Sequence, residues 1–129
     1  MQIKLTVLTK IENIRKTTFY FIHNESKTIL PIEFDNLTDK SIEDAYIRTL
    51  KALNVKMESI NLYLYLENIY YVYLKINAEG TLMDINISIN NALHILELNP
   101  TTEVYIENEI LLQEGIKITK ELIEESLGN

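Results

Sequence analysis

One stretch constrains the fold more than any other. Over residues 62–74 the chain reads LYLYLENIYYVYL, two runs of alternating large side chains around Glu67-Asn68. A period of two is the mark of a β-strand. Two such runs across a two-residue polar break form a hairpin. With a tight turn at Glu67-Asn68, Tyr65 faces Tyr70 and Tyr63 faces Val72 on one side. The other side carries Leu66 with Ile69, Leu64 with Tyr71, and Leu62 with Tyr73. Both faces are rich in apolar or amphipathic groups, so both need cover. Helices can supply one. Tyrosine is enriched at interfaces, so the face with Tyr63, Tyr65, Tyr70 and Val72 is expected to meet a second copy in a homo-oligomer, with cover from within the chain as the alternative.

The rest of the chain fits a mixed α+β fold with a mainly antiparallel sheet of six to seven strands. Further strands are expected at 3–8, 17–22, 28–34, 82–87 and 103–106. Pro31 has no N–H, which places its strand at an edge or a bulge. Two to three helices pack on the sheet. Ile42, Ala45, Tyr46, Thr49, Leu50 and Leu53 lie on one helical face, with Thr38 or Asp39 as the cap and Asn54 as the stop. Ser88 caps a second helix carrying Ile89, Ala92, Leu93 and Leu96. The third runs from Thr119 to Leu127, stopped by Gly128.

At 129 residues, with no repeat or linker, residues 1–129 read as one domain. A chain of this length buries roughly two-thirds of its unfolded surface. It needs no disulfide, and without Cys it can form none. A Cys nucleophile and a thiolate zinc site are excluded likewise. Twelve basic residues against 19 acidic leave a net charge of −7, which disfavours nucleic acid, since phosphates need Lys and Arg. The opening MQIKLTVLTK lacks a signal-peptide pattern. Leu62 to Ile76 is too short and too patterned to span a bilayer. These features predict a soluble cytoplasmic protein.

Among reactive groups, Asp84 stands out within LMDINI, beside the strand-to-helix junction at Ser88. Alternation sets Asp84, Asn86 and Ser88 on one side, where they could hold a metal, a water or a phosphate. The bland alternative is a solvated strand face. His23 reads as a solvated turn residue and His94 as a helix-surface or packed residue rather than a metal ligand.

The order ILPIEF, a helix ending LKALNV, an aromatic hairpin, MDINISINNAL and EVYIENEIL resembles the bifunctional nuclease domain family. The resemblance covers residues 1–112, with 113–129 as a C-terminal helical extension. It implies metal-assisted hydrolysis of DNA and RNA phosphodiesters, with Mg or Mn as the cation. Asp84 and Asp44 would be metal ligands or water activators, and Ser88 a hydrogen-bond donor. The family's motif has Arg where this chain has Asn86, and a second Asp where it has Ile89. A homo-oligomeric module that keeps the fold without the chemistry is the alternative expectation.

Overall fold

The computed structural model describes residues 1–35 and 41–127, less the side chains of Ser41–Asp44, Tyr46, Leu122, Ile123, Ser126 and Leu127. The expected caps Thr38 and Asp39, the stop at Gly128 and the side chain of Asp44 lie outside the described residues.

The fold is α+β, with eight strands in one mostly antiparallel sheet. The strands are β1 (Gln2–Glu12), β2 (Lys16–His23), β3 (Thr28–Asp35), β4 (Val55–Leu66), β5 (Ile69–Ala78), β6 (Thr81–Ile87), β7 (Glu103–Glu107) and β8 (Ile116–Lys117). The helical segments are α1 (Ser41–Ala52), α2 (Ile89–Leu98), α3 (Asn108–Glu114) and α4 (Lys120–Leu127). The order across the sheet is β6-β5-β4-β7-β1-β2-β3-β8, and among the described residues only β4 and β7 run parallel. Two elements exceed the sequence expectation: the short α3 and the two-residue β8.

Strand β1 belongs to both halves of the sheet. Residues 2–5 pair with β7, whereas residues 6–12 pair with β2. A register shift between Val7 and Thr9 marks the changeover. Bulges of this kind raise local twist and bend a strand. The sheet's inner face gathers Phe19, Phe21, Leu30 and Ile32 from one half with Ile60, Leu62, Val72 and Leu74 from the other. Helix α2 packs against β5 and β3, closing this core, and α1 packs on β4 and α2.

The turn residues explain the local geometry. Glu67 and Asn68 both take positive φ, 52° and 65°, the signature of a tight hairpin turn matched to strand twist. Asn54 (φ 59°) stops α1 as expected. Pro31 is paired with Tyr20, at a point where β8 no longer flanks β3. The missing N–H therefore costs no ladder bond on a second side.

The hairpin register agrees with expectation only near the turn. Leu66 pairs with Ile69, Tyr65 with Tyr70 and Leu64 with Tyr71. A register shift then intervenes between Leu62 and Leu64, so that Leu62 pairs with Val72 and Asn61 with Tyr73. A one-residue slip exchanges faces. It moves Leu62 into the core opposite Val72, each 1% exposed, and turns Tyr63 outward beside Tyr73. The expected interface set of Tyr63, Tyr65, Tyr70 and Val72 is corrected accordingly. Tyr65 and Tyr70 are half-buried, and their rings pack 4.5 Å apart. Burial of Tyr70 raises its phenol well above its usual range, assisted by Tyr65 and Glu114.

Candidate functional site

Asp84 stands on the outer face of β6, opposite Lys75 of β5. Its Oδ1 lies 2.9 Å from Lys75 Nζ. That hydrogen bond lifts the lysine pKa above its ordinary value, against the opposite pull of desolvation. The next cross-strand pair on this face is Tyr73 with Asn86. The Tyr63 hydroxyl donates to Asn86 Oδ1 at 3.4 Å, and the Lys75 ammonium sits 5.8 Å from the centre of the Tyr73 ring. Alternation along three strands thus builds one polar row.

The row borders a shallow trough of about 530 Å³. Its floor is Asn61 and Ser59, only 2% and 6% exposed. Asn61 Nδ2 donates to Ser59 Oγ at 2.9 Å. Gln2 Nε2 donates to the Tyr73 hydroxyl at 3.2 Å and to Asn61 Oδ1 at 3.4 Å. On the far wall the Tyr105 hydroxyl donates to Glu103, which also faces Lys4 at 3.6 Å. The tyrosine hydrogen bond holds the Glu103 carboxyl below its usual range, with Lys4 adding to it. The trough escapes a sequence reading because 55–61 carries no clean alternation. The reason is a second register shift, between Met57 and Ser59.

The expected site residues have distinct settings. Ser88 caps α2, its Oγ accepting from the Asn91 backbone N–H at 3.1 Å. At about 3.3 Å of rise per strand residue, its backbone lies roughly 13 Å from that of Asp84. Asp44 belongs to α1, on the inner side of the sheet, whereas Asp84 is on the outer face. Among the described residues, no group of three His, Asp or Glu side chains is placed to hold a metal ion.

The histidines belong to other networks. His94 is 6% exposed, and its Nδ1 lies 3.4 Å from Glu97 Oε1. Glu97 in turn meets Lys10 Nζ at 3.3 Å, and Lys10 pairs with Glu12 at 2.7 Å. This chain of charges ties α2 to β1. His23 is half-buried and holds Ser26 Oγ at 2.7 Å, so it is less solvated than its turn position suggests.

Beyond the polar row, towards the hairpin tip, the outer face becomes apolar. Leu64, Leu66, Ile69 and Tyr71 are 43%, 53%, 51% and 38% exposed. They form two directly opposed cross-strand pairs. Among the described residues, no helix is long and apolar enough to cross a membrane. No protein-family model and no curated protein matches this chain.

Proposed function

We propose that this chain is a divergent bifunctional-nuclease-like domain that acts as a self-associating, non-catalytic module. The observation that carries the reading is the uncharged outer patch of Leu64, Leu66, Ile69 and Tyr71. A cluster of exposed large apolar side chains beside a polar rim is the pattern of an association surface. The net charge of −7 argues against a polyanionic partner, and an uncharged patch suits a second copy of the same chain. The family part of the reading rests on motif order. ILPIEF falls on β3, LKALNV at the end of α1, MDINISINNAL across β6 and α2, and EVYIENEIL across β7 and α3. Light scattering on the purified protein at high micromolar concentration should give a dimer mass. A monomer at every concentration overturns the reading.

Phosphodiester hydrolysis is the second reading, favoured by the position of Asp84. It lies on the strand that leads into the Ser88-capped helix, where the resemblance sets its acidic motif. In this reading Asp84 would hold Mg²⁺ or Mn²⁺, which would polarise the phosphate and activate water, while Asp44, the second ligand the resemblance implies, is carried by α1 on the other side of the sheet. Cleavage of single- or double-stranded substrate with either cation, abolished by Asp84→Ala, supports hydrolysis. Undiminished cleavage by that variant removes Asp84 from the site.

A further inference from the structure

The two edges of the sheet are built differently. At one end β8 is two residues long and covers only Thr28 and Ile29 of β3. At the other end β6 offers a seven-residue edge, TLMDINI, with Asp84 as its single charge. Natural edge strands are usually blunted by Lys, Pro, bulges or shortness. None of these protects β6: its pairing with β5 is continuous from Thr81 to Ile87, and Leu82 and Met83 are 59% and 49% exposed.

We infer that two copies of the chain pair antiparallel through β6, joining their sheets into one with the two-fold axis at Ile85. This rests on the self-association reading above and specifies its geometry. The charge pattern selects the register. An axis at Asp84 sets two carboxylates directly opposite one another, which is destabilising. An axis at Met83 sets Asp84 against Leu82. An axis at Ile85 sets Asp84 against Asn86 of the second copy, and Met83 against Ile87.

In that register the Asn86 amide donates to the carboxylate of the other copy. The outer face then carries an unbroken row from Tyr73 through Asn86, across the axis, to Asp84 and Lys75 of the second copy. The Lys75–Asp84 ion pair survives intact. Leu82 lands opposite Ser88 of the second copy, next to the Tyr71 end of its apolar patch. The edge and the patch therefore form one contiguous surface. Asn86, which stands where the resembling family has Arg, gains a role as the neutral partner of a carboxylate.

Sedimentation equilibrium on three variants tests the arrangement. Asn86→Asp brings two pairs of like charges together and should weaken dimerisation roughly tenfold. Asp84→Asn added to Asn86→Asp exchanges the two groups across the axis and should restore most of the affinity. Loss with rescue, at a Tm unchanged among the variants, supports β6 pairing; a Tm that falls and recovers together with the dimer places the repulsion within one chain and counts against it. A dimer indifferent to both changes, yet broken by Leu66→Ser with Ile69→Ser, overturns the β6 arrangement and leaves self-association standing. A monomeric parent chain overturns both.

Discussion

The two faces of the β4–β5 hairpin carry similar side chains and have opposite fates. Leu62, Val72, Leu74 and Ile76 on the inner face are at most 5% exposed. Leu64, Leu66, Ile69 and Tyr71 on the outer face are all at least 38% exposed. Composition does not separate these sets, and both read as strand core. What separates them is the register shift between Leu62 and Leu64 together with the helices on one side only. Apolar alternation thus identifies a strand without saying which face the fold will bury. The uncovered face is where function is to be sought.

The comparison breaks most readily at Leu74. Leu74→Ala should cost about 2–5 kcal/mol, read as a lower urea midpoint at constant slope. Its outer counterpart Leu66→Ser should stay within about 0.5 kcal/mol and lower only the dimer mass. Equal losses from the two would mean that the outer patch is structural after all.

Gly115 sharpens the contrast between the two sheet edges. A Cβ there would run into Thr28 Cγ2 and lie 2.6 Å from the Leu111 carbonyl oxygen. Gly115→Ala should therefore destabilise by about 1–3 kcal/mol, seen as a fall in Tm. Ser88→Ala removes the side-chain cap of α2 and should cost about 1 kcal/mol, with hydrogen-exchange protection lost first at Asn91. The smallest effect belongs to the polar trough. Tyr105→Phe removes the hydrogen bond that lowers the Glu103 pKa, so an NMR titration should show that pKa rising towards 4.5. The sign follows from linkage. A carboxyl with a depressed folded pKa contributes stability above its ordinary value and loses it as pH falls through the depressed one. The variant, left with Lys4 as the lowering group, should show a smaller loss than the parent chain.

Much of this architecture is legible in the residues themselves. The Glu67-Asn68 turn, the Asn54 stop and the Ser88 cap each follow from side chains whose local chemistry acts within four residues. The first half of β4 does not, because the register shift around Glu58 interrupts the alternation on which strand recognition depends. The candidate site is less legible still. Asp84 and Ser88 are adjacent in pattern, yet one is committed to Lys75 and the other to the backbone of α2. The trough joins Gln2, Asn61 and Tyr73 from three separate strands, a juxtaposition that only the strand order creates.

That strand order also dictates how the molecule can assemble in time. The β1–β2–β3 and β4–β5–β6 runs are each made of sequence neighbours and can form early from local contacts. Strand β7 has no such neighbour: it lies between β4 and β1, and Val104 pairs with Leu5 across 99 residues of chain. The five residues Glu103–Glu107 are therefore the last tooth of a zipper, and docking them should coincide with the rate-limiting step of folding. A nascent chain halted before residue 103 would hold two meanders whose facing β1 and β4 edges lack a strand to join them, exposed to the misassembly that incomplete sheets invite.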